Sequence, residues 1–175
     1  MKTLILGLAI TLLYSMFIVF QFDYNRYSIQ LEEIKMIADD CASAAMLFYD
    51  EEKYPLGHKI FNYQEGNKAI QFIFNQSIKK DYWSEDTEYW VAYFDDTQIC
   101  YYFNKTELVH SYPFAYGYAY KDPETKRSKV ILEPLVIVTI DAGRGHFRLL
   151  NLQNTIPIGI RSSGYGYRGR GIMEQ

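Results

Sequence analysis

From Thr3 to Phe22 the chain reads TLILGLAITLLYSMFIVFQF, twenty residues without a charge between Lys2 and Asp23. At about 1.5 Å rise per residue, a helix of that length spans roughly 30 Å, the thickness of a bilayer's hydrocarbon core. The run predicts a membrane-spanning anchor over residues 1–22. Past Asp23 the pattern turns amphipathic without a breaker, because neither Pro nor Gly occurs between Leu8 and Pro55. Tyr27, Leu31, Ile34, Ala38, Cys41, Ala45 and Phe48 recur at alternating steps of four and three, a helical face sustained over three heptads. Span and amphipathic segment therefore predict one helix from Leu4 to about Tyr49, roughly 70 Å long. Its stripe narrows to small side chains at Ala38, Ala42, Ser43, Ala44 and Ala45, and small residues let another helix or a sheet approach closely. The helix-packing and assembly candidates are thus Leu31, Ile34, Ala38, Cys41, Ala42, Ala45 and Phe48.

A second, shorter helix is predicted over Tyr63 to Ile78. Asn62 and Glu65 have capping-box spacing, and Ala69, Ile70, Ile73, Phe74 and Ser77 supply its inner face. The period then drops to two. Glu88–Phe94 and Gln98–Phe103 flank an Asp95-Asp96 turn and read as a hairpin. Further strands are expected at Glu107–Ser111, Phe114–Lys121, Lys129–Asp141 and His146–Leu152, with KDPETKR from Lys121 to Arg127 as a charged loop. The connections are too short for parallel crossovers, so the sheet should be antiparallel. The predicted class is α+β: a long N-terminal helix packed with a second short helix on an antiparallel sheet. Residues 23–160 form its extracytoplasmic domain, and 161–175 a Gly/Arg-rich flexible tail.

Charge sets the orientation. Lys2 is the one basic residue before the span, whereas Asp23, Glu32, Glu33, Asp39 and Asp40 outnumber Arg26 and Lys35 just after it. Positive charge is retained in the cytoplasm, which predicts an internal N-terminus and an external domain in a bacterial cell membrane. A cleaved signal peptide fits less well, since the apolar run exceeds a normal h-region and no A-x-A site follows. The net charge of −3 is uneven: Gly143–Gln175 carries five arginines against one acid, +4, so the rest carries −7. The segment Arg161–Gly171 (RSSGYGYRGRG) looks like RNA-binding arginine-glycine stretches. An external domain meets no cellular nucleic acid, so no such partner is expected.

Tyrosine is the unusual component, with 17 residues. It suits half-buried pleated surfaces, and a Tyr-rich exposed sheet is the first reading, with a carbohydrate- or partner-binding aromatic surface as the second. Cys41 on the predicted helix and Cys100 on a predicted strand are a candidate disulfide pinning helix to sheet, or alternatively two buried thiols.

The segment QFDYNRYSIQLEEIKMIADDCASAAMLFYD resembles the TadE-like family of minor pilins and pseudopilins, and more broadly type IV pilin-like proteins. Arg26 matches the family's short polar segment, and Asp39 or Asp40 followed by Ala42, Ala44 and Ala45 approaches its "D-x-A-A-x-A-A" stretch. The resemblance covers about the first fifty residues. It implies a membrane-held component that contacts other pilus or secretion-apparatus proteins, or further copies of itself. One departure bears on the role. Gly7 is the sole candidate for a prepilin-type cleavage position, Leu12 lies five residues further on, and the span contains no acid. An assembly or accessory role therefore fits better than that of a major filament subunit.

The residues offer little chemistry. His58, His110 and His146 lack metal-site spacing with one another or with the cysteines. No hydrolase elbow, zinc-protease, P-loop or dinucleotide motif is present. Asp39-Asp40 and Asp95-Asp96 read as a solvated helix face and a turn. Asp141-Ala-Gly-Arg-Gly-His146 is the densest polar cluster, and a glycine-bearing hairpin connection accounts for it. No catalytic residue, cofactor or metal is expected. The expected function is structural or assembly work in a pilus-like surface apparatus; the alternative is a membrane-anchored ectodomain binding cell-wall glycan or another surface partner through its tyrosines.

Overall fold

The computed structural model describes residues 2–78, 87–143, 160–166 and 169–171. Helix α1 runs from Lys2 to Met46, a short 3-10 turn spans Tyr54–Leu56, and α2 covers Tyr63–Ser77. The strands are β1 (Glu88–Phe94), β2 (Ile99–Asn104), β3 (Glu107–Pro113), β4 (Tyr118–Lys121), β5 (Ser128–Ile131), β6 (Leu135–Asp141), β7 (Ile160–Gly166) and β8 (Gly169–Gly171). Six of them form one sheet in the order β3-β2-β1-β6-β7-β8, every pair antiparallel, while β4 and β5 make a separate antiparallel ribbon. The fold is α+β.

Alternation along the strands divides the interior in two. Tyr89, Val91 and Tyr93 of β1, Phe103 of β2, and Val136, Val138 and Ile140 of β6 face the helices. They meet Ile34, Ala38, Cys41, Ala42 and Ala45 of α1 and Ile70 and Phe74 of α2. The intervening residues Ala92, Phe94, Cys100, Tyr102, Leu135 and Ile137 face the other way, and Phe114, Tyr120 and Ile131 cover them. The β-branched run of β6 is thus buried on both faces, which is why it reads as continuous rather than alternating.

Helix α1 has two parts. From Leu4 to Phe22 its large apolar side chains are mostly exposed, and the buried positions begin at Asp23. It is the one helix among the described residues long and apolar enough to cross a membrane, which is compatible with a single-pass anchor. The second part lies over β6 and β7 and against α2. Helices α1 and α2 approach closely: a Cβ on Gly66 would sit 2.7 Å from the Tyr93 hydroxyl and 3.5 Å from the Ala45 carbonyl oxygen. Only glycine fits there without displacement.

Four local expectations change. Helix α1 stops at Met46, and Phe48 lies beyond it in an exposed connector whose carbonyl accepts from the Asn62 N–H at 2.9 Å. The apolar partner from that connector is Tyr49, stacked on Phe61 at 5.1 Å between ring centres. The expected strand Lys129–Asp141 is two strands, β5 and β6, broken at Leu132–Pro134. Proline has no N–H to donate to a ladder and belongs at strand starts. Residues 161–166, placed in a tail by composition, continue from Ile160 as β7, with Ile160 opposite Asp141 and Gly166 opposite Leu135. The Tyr-rich sheet is exposed only in part: Tyr89, Tyr93, Tyr102 and Tyr120 are buried, Tyr101 and Tyr112 are half-buried, and Tyr116 and Tyr118 are exposed. The strand expected at His146–Leu152 and the turn expected at Asp81–Asp86 lie outside the described residues. The expected cap on α2 is present, with the Asn62 side-chain oxygen accepting from the Glu65 N–H at 3.3 Å.

Candidate functional site

The stripe on α1 is interior. Ile34, Ala38, Cys41, Ala42 and Ala45 are buried in the helix-side core, Leu31 is partly buried beside it, and Phe48 is outside it. These residues hold the chain's own sheet and α2. The exposed side of the same helix carries Phe22, Ile29 and Met36, seven residues apart.

The candidate disulfide does not form: Cys41 and Cys100 are both free and buried. Cys41 belongs to the helix-side core and Cys100 to the ribbon-side core, so the sheet separates them. Cys100 alternates with Tyr101 and Phe103, and it is those two that face the helices. The Cys41 thiol donates to the Ile70 carbonyl at 3.9 Å. Burial, with a smaller contribution from the Asp40 charge, pushes it up to about 12. Burial likewise raises Cys100 to about 12, partly offset by a hydrogen bond with Tyr112. Such thiols are inert nucleophiles. Both should resist alkylation in the folded protein and both should react, without reductant, once it is denatured; the absence of reactive thiols after denaturation, as a disulfide between the two would give, would overturn this assignment.

The Asp95-Asp96 turn forms between β1 and β2, and its carboxylates do more than meet solvent. Asp95 is fully buried. Its Oδ2 accepts from the Tyr63 hydroxyl at 2.5 Å and the Phe61 N–H at 3.3 Å, and its Oδ1 accepts from the Thr97 N–H and hydroxyl. Asp96 accepts from the Lys59 N–H at 2.7 Å and the Tyr116 hydroxyl at 2.6 Å. The two carboxylates tie the β1–β2 hairpin to the segment leading into α2. A second buried carboxylate, Asp122, accepts from the Thr139 hydroxyl at 2.7 Å and fastens the ribbon's loop to β6.

Beside the first junction lies a groove of 570 Å³ between α2 and the β2–β3 edge, with Tyr63, Tyr101, Phe103 and Leu108 as its apolar wall. Asn67 is buried at its base, and its Oδ1 accepts from the Tyr93 hydroxyl at 2.9 Å. None of these residues was among the candidates read from the chain. Their one local signal is the aromatic content of β2, which does not tell which rings face α2.

Buried tyrosines give a pH signature. Burial above all raises Tyr89 to about 12, and it raises Tyr93, Tyr102 and Tyr120 further. The folded state therefore holds these protons, and those of the thiols, to higher pH than the unfolded chain, whose ordinary values are 10.0 and 9.0. Their contribution to stability is complete below about pH 9 and is lost as pH rises towards and beyond 12. Tyrosinate absorbance should rise in two phases, exposed rings first and the buried set together with unfolding. A single smooth titration would contradict this burial.

Among the described residues no group of three or more His, Cys, Asp or Glu side chains could hold a metal ion. His110 is stacked against Tyr102 and Tyr112, at 4.7 and 5.8 Å between ring centres. Asp141 accepts from the Gly143 N–H at 2.9 Å, with Gly143 at φ 72°; Arg144 to His146 lie outside the described residues. Comparison with protein-family models finds no match, and comparisons with curated proteins and with solved structures find none either.

Proposed function

We propose that this chain is a membrane-anchored assembly component of the minor pilin or pseudopilin kind, acting at the cell surface through contacts rather than turnover. The observation that carries the reading is α1 itself. One unbroken helix is bare and apolar along its first half and locked to a domain along its second. With no breaker between the halves, the domain's orientation follows from that of the span. A rigid mount of this type suits a part that must present a fixed surface to neighbouring subunits. The charge distribution around the span, with Lys2 before it and an excess of acids after it, supports an external position for that domain. The small-residue stripe is already occupied by the chain's own core, so partner contacts fall to the opposite face at Phe22, Ile29 and Met36.

The test uses the full chain in its native membrane. A reporter fused after Gln175 should be active outside the cytoplasm. A photo-crosslinker at Phe22, on the same exposed face, should capture a discrete membrane partner, and Ile29→Lys with Met36→Lys should abolish that product while leaving the melting temperature unchanged, since both substituted side chains are exposed. A reporter active only in the cytoplasm, or crosslinks that survive the double substitution, would refute the proposal.

A further inference from the structure

We infer that the groove between α2 and the β2–β3 edge is a binding site for a neutral sugar residue. The inference is independent of how α1 is used. Three rings form the wall, with Tyr63 at 4.5 Å from Tyr101 and 6.3 Å from Phe103 between centroids. They are held before any ligand arrives, Tyr63 by the hydroxyl it donates to buried Asp95 and Phe103 by its edge-on contact with Tyr93. Pre-set aromatic surface removes an ordering cost that a flexible site would incur.

The polar groups select what lies on those rings. Asn67 is 5% exposed, and its Oδ1 is taken by the Tyr93 hydroxyl. Its NH₂ group is thus the hydrogen-bonding end left to the groove. Gln64 and Thr106 add an amide and a hydroxyl at the rim. No carboxylate lines the groove, and the ammonium of Lys68 is bound 2.8 Å from Glu65. The lining therefore offers a cation no partner, and the one ammonium at its rim is exposed and shared with Glu65. An apolar peptide side chain or a lipid tail would cover the rings but leave the Asn67 amide buried and unpaired, a penalty that an oxygen acceptor removes. A sugar ring presents both requirements, C–H groups on one face and hydroxyl oxygens around its edge. The volume, 570 Å³, is within the range of about 300–1,000 Å³ typical of small-ligand sites.

The experiment is a titration of the full-length protein in micelles of a zwitterionic detergent lacking sugar head groups. The probes are glucose, N-acetylglucosamine and chitobiose, with a proline-rich peptide as the rival ligand. The Leu108 methyl and Asn67 side-chain amide resonances should shift saturably with at least one sugar, with a dissociation constant on the order of 1 mM for so open a site. Tyr101→Ala should weaken binding by about tenfold or more, as loss of an aromatic anchor does. Leu108→Arg, at a residue 53% exposed, should fold normally and block the groove, whereas Leu132→Arg, 74% exposed and outside the groove lining, should bind as wild type. The inference is overturned if none of the three sugars shifts these resonances saturably, if Leu108→Arg binds sugar as wild type does, or if the peptide saturates the groove while the sugars do not.

Discussion

Replacing Asp95 by alanine is expected to cost about 3 kcal/mol, the largest effect of any single polar substitution in this domain. The carboxylate has no exposure and four donors aimed at it, from Phe61, Tyr63 and Thr97. Hydrogen bonds to a charged group are each worth about 1.5–3 kcal/mol, and donors stranded in the interior lose that and regain no water. For a chain of this size, 3 kcal/mol corresponds to a fall in melting temperature of about 6–12 °C. Asp95→Asn keeps one acceptor oxygen but sets its NH₂ against the N–H of Phe61 or Thr97, so it should lose a comparable amount despite the matching shape. Thermal unfolding of the full-length protein in detergent reads both. If Asp95→Ala melts within about 2 °C of wild type, the junction is not what holds the hairpin to α2.

Ala45→Leu and Ala42→Leu should each destabilise by about 2–3 kcal/mol, the upper part of the range for overpacking. Both alanines have no exposure. At Ala45 the helices are already in van der Waals contact, since a Cβ on Gly66 of α2 would lie 3.5 Å from the Ala45 carbonyl oxygen. Three added carbons must therefore separate α1 from α2 or from the sheet. Asp40→Leu, on the solvent side of the same helix turn, is the control and should stay within about 0.5 kcal/mol. Equal melting temperatures for Ala45→Leu and Asp40→Leu would mean that α1 packs through another face. Lowered yield of folded domain, with unchanged membrane insertion, is the accompanying result expected from an intact apolar span.

What could be read from the chain was what local physics dictates. The uncharged run and the absence of a breaker before Pro55 specify α1, since helix period and chain continuity are properties of consecutive residues. Asn62 with Glu65 specify the start of α2, and period-two alternation specifies β1 and β2. The α+β class follows from their order. Four outcomes were decided only in three dimensions. Cys41 and Cys100 lie in opposite cores because sheet parity, relative to a helix layer placed by distant contacts, sets which residues of β2 face α1. Asp95 is a buried junction rather than a surface turn because its donors Phe61 and Tyr63 are 34 and 32 residues away. Residues 161–166 have a tail's composition, but the backbone of β6 offers a ladder that glycine and serine can pair with as well as valine. The groove exists because α2 leaves Leu108 and the outer part of β2–β3 uncovered, and where a helix stops covering a sheet depends on how two elements pack, which neither encodes alone.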